Sequence, residues 1–150
     1  MDGVPSLHDL VRQNDAENLE KRLNELGESC DALNARDKNG DSPLHVAVSL
    51  KAVEIIRLLK KFGADLHTRN KRSASCVVLA THAGDCEMVK ELLSLGAFVN
   101  DTDAQGNSLA NIAAIRGDIK MLQTLQVLRV TVFDLDMFQI EIMFKLIRAL

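Results

Sequence analysis

The sequence predicts an all-α repeat: about four helix-turn-helix units packed side by side and closed by a divergent C-terminal cap. Three observations predict it. A pattern of residues returns every 33 positions, and the residues that start and stop helices return with it. The third is composition: 47% of the 150 residues are hydrophobic, yet there are only five Phe and neither Trp nor Tyr. Globular cores usually lean on a few large aromatics. Leu, Ile, Val and Ala at helix contacts suit this chain better than a sandwich does.

The period is read from three segments. DKNGDSPLHVAVSLKAVEIIRLLKKFGADLHTR begins at Asp37, NKRSASCVVLATHAGDCEMVKELLSLGAFVNDT at Asn70, and DAQGNSLANIAAIRGDIKMLQTLQVLRV at Asp103. Ser42, Ser75 and Ser108 share one column, and Ala47, Ala80 and Ala113 another. Gly63-Ala64 returns as Gly96-Ala97, and Gly84-Asp85 as Gly117-Asp118. So many columns at one spacing mark a stacked repeat.

Each element of the unit has a physical reason. Asp37-Lys38-Asn39-Gly40 is a turn in which Gly40 supplies a positive φ. Ser42 caps the helix that follows, with Pro43 at its first position, where a missing N–H costs nothing. Leu44, Ala47 and Val48 form the apolar stripe of that helix. A second helix carries Val53, Ile56, Leu58 and Leu59 and stops at Gly63. One such unit has too little core to stand alone, so neighbours must stack.

SPLHVA and the following GAD resemble the ankyrin repeat, whose period is also 33. The resemblance runs from Asp37 to Thr102 and on to Thr124. It implies an ankyrin-type solenoid with short β-hairpin tips, in which a β-turn and an antiparallel helix pair recur. VPSLHDLVRQNDAENLEKRLNEL is then a degenerate first repeat: Leu7-His8 echoes Leu44-His45, and Leu19 and Leu23 supply the second helix. The array spans 1–128, with repeats at about 4–36, 37–69, 70–102 and 103–128. GESCDALNAR reads as a longer surface loop between the first two.

Departures from the pattern fall mostly downstream. Lys51 stands where Gly is expected before a second helix, and Ser73 where the turn Gly is expected. Cys76-Val77-Val78 and Leu109-Ala110-Asn111 replace Pro-Leu-His. Losing the helix-start hydrogen bonds of that His is expected to weaken the third and fourth repeats. The tail 129–150 holds three of the five Phe and no Gly or Pro. Phe133, Met137, Ile140, Phe144 and Ile147 share one helical face. Phe138, Ile140, Ile142, Phe144 and Leu146 alternate as in a strand. A capping helix, a surface for a partner or a second copy, and a segment foreign to the array all fit.

Charge is uneven. The net charge is -3, but Met1 to Asp31 carries eight acidic and three basic residues, and Arg36 to Arg72 nine basic and four acidic. The mild total argues against generic nucleic-acid binding. The acidic start MDGVPSLHDL has no apolar signal region, and no 18-residue uncharged apolar stretch exists, so neither secretion nor a membrane span is expected. Three cysteines (Cys30, Cys76, Cys86) without metal-ligand spacing suggest a reducing compartment, cytoplasmic or nuclear.

No catalytic, cofactor or metal constellation is visible. His45, and His8 as its counterpart, fall in the SPLH column, where the resemblance implies structural hydrogen bonds. His67 falls in a solvated hairpin, and His82 near the face that would meet a partner. Cys76 and Cys86 flank His82 but occupy helix-stack positions, where burial is the better account than activation. Glu17, Glu20, Glu25 and Glu28 read as a solvated helix face. We therefore expect no enzyme and no cofactor.

Ankyrin repeats bind other proteins through their tips and first helices. By column, the resemblance implies Lys38, Asn39, Asp41, Ser49, Leu50 and Arg69 as contact residues in the second repeat. The third offers Lys71, Arg72, Ala74 and His82, and the fourth Ala104, Gln105, Asn107, Ile115 and Arg116. Arg36 joins the first two tips. Arg36, Lys38, Arg69, Lys71 and Arg72 suit an acidic or phosphorylated protein segment. Ordinary solvated turn charge, interleaved with Asp37, Asp41 and Asp103, accounts for them equally well, and Arg69-Asn70-Lys71-Arg72 is too short to mark nuclear import. The function expected is an adaptor or regulator that acts by occupying a partner. The alternative is a targeting or oligomerisation subunit that self-associates through 129–150.

Overall fold

Serine and aspartate decide where the helices begin. A computed structural model describes residues 3, 5–27, 30–128, 145 and 148. Within it Ser6, Ser42 and Ser108 each accept the backbone N–H three residues on, and open α1 (Leu7–Arg12), α4 (Pro43–Ser49) and α8 (Leu109–Ile115). Asp15, Asp85 and Asp118 do the same for α2 (Ala16–Leu26), α7 (Cys86–Ser94) and α9 (Ile119–Val127). Each such cap satisfies a donor that the helix itself cannot. The remaining helices are α3 (Cys30–Leu33), α5 (Val53–Lys61) and α6 (Cys76–Ala83).

The chain divides into two compact units, Met1–Cys76 and Val77–Leu150. In the first, α1 packs on α2 and α4, and α5 packs on α4 and α2, so two helix hairpins stack. Val11, Leu19, Leu44, Ala47, Ile55, Ile56 and Leu59 are all fully buried between them. Each large aliphatic side chain withdrawn from water contributes about 1.5–3 kcal/mol. Ala47 at the crossing lets the helices approach. In the second unit α9 packs on α8 and α7. Its core includes Val89, Leu92, Leu109, Ala113 and Met121.

Several details differ from the sequence expectation. Ile55 is buried whereas Leu58 is only half-buried, because α5 turns the former toward its neighbours. The long segment between the first two repeats is not a plain loop: it forms α3, and Leu33 at its end is 2% exposed, pinned in the core. The tips form no strand among the described residues. They are hydrogen-bonded turns, with one isolated antiparallel bridge between Thr102 and Ser108. His67 is half-buried rather than solvated. The readings made for the tail 129–150, Lys145 and Arg148 apart, lie outside the described residues, as does Glu28.

Lys51 and Ser73 keep the backbone of the glycines they replace. Asn14 and Lys51 sit at φ 55° and 57°, the conformation that Gly84 and Gly117 adopt before α7 and α9. Ser73 sits at φ 56°, matching Gly40 at 75° and Gly106 at 81°. A side chain in this left-handed region costs about 1–2 kcal/mol. The repeat therefore imposes the turn, and the substituted residue carries the strain.

Candidate partner-binding surface

Three turns are built alike from one column. The side-chain oxygen of Asp37 accepts the N–H of Asn39 (2.8 Å) and of Asp41 (3.0 Å). Asn70 accepts those of Arg72 (3.0 Å) and Ala74 (3.1 Å), and Asp103 those of Gln105 (2.9 Å) and Asn107 (2.8 Å). In each, the first residue's N–H also donates to the carbonyl four residues on. Such side-chain mimicry of a backbone turn is what Asp and Asn do well. The 33-residue recurrence of Asp37, Asn70 and Asp103 is the signal for it, and it is visible in the sequence.

Histidines tie one turn to the next helix pair. His8 Nε2 donates to the Asp41 carbonyl (2.8 Å), and His45 Nε2 to the Ala74 carbonyl (3.0 Å). These carbonyls are one column, directly before Ser42 and Ser75. The proton on His45 Nε2 leaves Nδ1 free to accept the Ser42 N–H (3.3 Å) and hydroxyl (2.8 Å). Burial disfavours the charged imidazole more than the Ala74 carbonyl and nearby Asp41 favour it, so the His45 pKa falls below its ordinary value. Val78 occupies the same column in the following repeat and can donate nothing. Ser75 Oγ and Asn111 Oδ1, in the columns of Ser42 and His45, are buried without a hydrogen-bond partner. Ser75 thus lacks the bonded ring that surrounds Ser42.

The tips of the first unit sort charge by direction. Asp37 is turned inward: besides its turn bonds it accepts Arg12 Nη2 at 2.8 Å. Burial pushes its carboxyl up, but the N–H groups of Asp41 and Asn39 and the nearby His8 and Arg12 hold it below the usual carboxylate range. Asp41 accepts the Asn70 amide at 2.8 Å. Three contacts of the tip cations go to neutral carbonyls. Arg36 Nη1 donates to the Arg69 carbonyl, Lys71 Nζ to the Lys38 carbonyl, and Arg69 Nη1 to the Ser73 carbonyl, each at 2.6 Å. Arg36, Lys38, Lys71 and Arg72 are exposed and Arg69 half-buried.

The other candidate residues distribute as follows. Asn39 is exposed at its tip, and Ser49 and Leu50 are exposed where α4 ends; Ser49 Oγ donates to the His45 carbonyl. Ala74 is buried, so its carbonyl rather than its side chain is what the turn uses. In the second unit Ala104, Gln105, Ile115 and Arg116 are exposed, with Ile115 at 65%. Asn107 is half-buried and donates to Asp103 at 3.0 Å. His82 is exposed at the last turn of α6, with Nε2 at 3.6 Å from Asp103. Burial pushes the Asp103 carboxyl up, yet hydrogen bonds from Asn107 and Gln105 and the nearby His82 keep it below its usual value. Arg12 with Asp37 and His82 with Asp103 are the same relationship in two repeats, one that sequence reading did not single out.

A family model for ankyrin repeats, in three copies, matches residues 7–103. The chain belongs to the ankyrin repeat family. Ankyrin repeats are generally protein–protein interaction modules, typically without enzymatic activity. No curated protein matches the chain. Among the described residues no group of three or more His, Cys, Asp or Glu is placed to hold a metal ion, and no helix is long and apolar enough to cross a membrane. Cys76 and Cys86 are buried free thiols in ankyrin helices α6 and α7.

Proposed function

We propose that this ankyrin repeat protein is an adaptor or regulator that acts by occupancy, holding an acidic or phosphorylated protein segment against the tips of its first unit. One observation carries the reading: Asp37 is held inward by its own turn and by Arg12, while Arg36 and Lys71 donate to neutral carbonyls at exposed tips. Arg36 and Lys71 thus keep their charge for a ligand, with Lys38, Arg69 and Arg72 beside them on the same tips. Arginine forks pair with carboxylate or phosphate in two parallel bonds. Ser49 and Leu50 extend the contact along α4, and His82, Gln105, Ile115 and Arg116 offer the corresponding positions in the second unit. No residue constellation supports catalysis, and we read the protein as a non-enzyme without a cofactor. Buried free thiols suit the reducing cytosol or nucleus.

The test uses charge reversal at positions outside the turn framework. Among the described residues, the heads of Lys38 and Arg72 make none of the turn hydrogen bonds, so Lys38→Glu/Arg72→Glu should fold normally. We expect it to bind a polyglutamate or phosphoserine peptide at least about tenfold more weakly than the parent, about 1.4 kcal/mol, with an unchanged circular dichroism spectrum. Equal affinity in the two proteins overturns the reading.

A further inference from the structure

Two serines follow the basic run Arg69-Asn70-Lys71-Arg72: Ser73 directly, and Ser75 two residues later. To an enzyme that reads basic residues ahead of a serine, the sequence offers both. The fold separates them. Ser75 is 0% exposed at the start of α6, and Ser73 is exposed at the tip. The backbone separates the tips too. Ser73 holds φ at 56° where the two matching turns have glycine, so its turn carries a strain that theirs do not. Opening it toward the extended form that a kinase cleft accepts releases that strain.

The surroundings of Ser73 also suit the product. Arg69 Nη1 lies 2.6 Å from the Ser73 carbonyl, and Lys71 and Arg72 share its turn. Arg36 reaches that turn through the Arg69 carbonyl. Lys71 and Arg36 can exchange a neutral carbonyl for a phosphate oxygen, which is the stronger acceptor.

We propose that Ser73 is a phosphorylation site for an ATP-dependent serine/threonine kinase that recognises basic residues on the amino-terminal side of its target. Ser73 Oγ attacks the γ-phosphorus of magnesium-bound ATP. The new O–P bond forms as the bond to the β–γ bridging oxygen breaks, and the hydroxyl proton passes to the base of the kinase. Phosphoserine and ADP result, with nothing oxidised or reduced. The added group carries about -1.5 to -2 charges at neutral pH, enough to offset roughly two of the tip cations. Phosphorylation therefore switches the tips from attracting an acidic ligand to repelling it. That consequence rests on the proposed ligand; the site itself does not.

The experiment begins with a kinase chosen because it phosphorylates a synthetic peptide spanning residues 66–78. The same kinase and Mg-ATP are then applied to the folded full chain, with intact mass and fragmentation as readouts. One phosphate per chain on Ser73 is expected, lost in Ser73→Ala and retained in Ser75→Ala. Phosphate on Ser75, undiminished incorporation in Ser73→Ala, or a folded chain left unmodified overturns the site. Polyglutamate affinity of the modified and unmodified chains is then compared, and a fall of fivefold or more is expected. Equal, measurable affinities overturn the switch. An unmodified chain that binds no polyglutamate overturns the ligand reading and leaves the Ser73 assignment standing.

Discussion

His45 Nε2 donates to the carbonyl of Ala74 across 3.0 Å, and so fastens the α4 helix start to the turn of the following repeat. The bond needs a neutral ring, because Nδ1 must accept from Ser42 at the same time. Helix start, turn and histidine therefore stand or fall together.

Replacing His45 by Val, the residue that Val78 supplies one repeat on, leaves the Ser42 N–H and hydroxyl without their acceptor and the Ala74 carbonyl with only the Asn70 N–H. Each buried polar group left unpaired costs about 1–3 kcal/mol. His45→Val is expected to lose about 2–4 kcal/mol in urea unfolding, with an unchanged slope if the native state stays compact.

The same histidine sets a pH dependence. Its folded pKa lies below the ordinary value, so the unfolded chain takes up the proton first. Its contribution to stability is complete above about pH 6.5 and is lost as pH falls from there through the folded pKa. Asp37 and Asp103 act in a lower window: their carboxyls are held below 3.8, so their contribution persists above that value and fades beneath it. Urea midpoints between pH 7.5 and 5 should fall in the parent and fall less in His45→Val. Parallel curves in the two proteins would remove His45 as the cause.

Two serines of one column should respond oppositely to alanine. Ser42 Oγ accepts the His45 N–H and meets Nδ1, so Ser42→Ala removes a cap worth about 1 kcal/mol. Ser75 Oγ is buried with no partner, and Ser75→Ala removes only a hydroxyl that was costly to bury. We expect it to be neutral or stabilising by up to about 1 kcal/mol. Thermal melting of the two variants side by side checks the pair, and equal losses would show that Ser75 caps α6 as Ser42 caps α4.

These contrasts show how far the sequence could be read. The Ser and Ala columns and the Gly63 stop carried the helix pairs, because capping and close packing act within a few residues of their cause. Asp37, Asn70 and Asp103 were equally periodic, but their role depends on a turn whose backbone bonds no residue count reveals. The four-residue α3 has no period of its own, so Leu33 could not announce itself. At the tips, residue type alone could not say whether Asp37 and Asp41 faced the cations or the turns. That is decided by the Arg12 and Asn70 side chains, 25 and 29 residues away.

At two positive-φ positions, substitutions run in opposite senses. A Cβ on Gly40 would come within 2.7 Å of Lys71 Cγ and 2.8 Å of the Lys71 backbone nitrogen, at a φ of 75°. The lysine stem can swing aside; the backbone nitrogen cannot move without disturbing the Asn70 turn. Gly40→Ala should therefore cost about 2 kcal/mol or more. Lys51 holds φ 57° with its Cβ already in place, so Lys51→Gly relieves about 1–2 kcal/mol of backbone strain. Glycine's extra freedom in the unfolded chain takes back about 0.5–1 kcal/mol. A net gain of about 0.5–1 kcal/mol is expected for Lys51→Gly, read as a higher urea midpoint at constant slope. A loss instead would mean that the Lys51 side chain contributes more than its backbone costs.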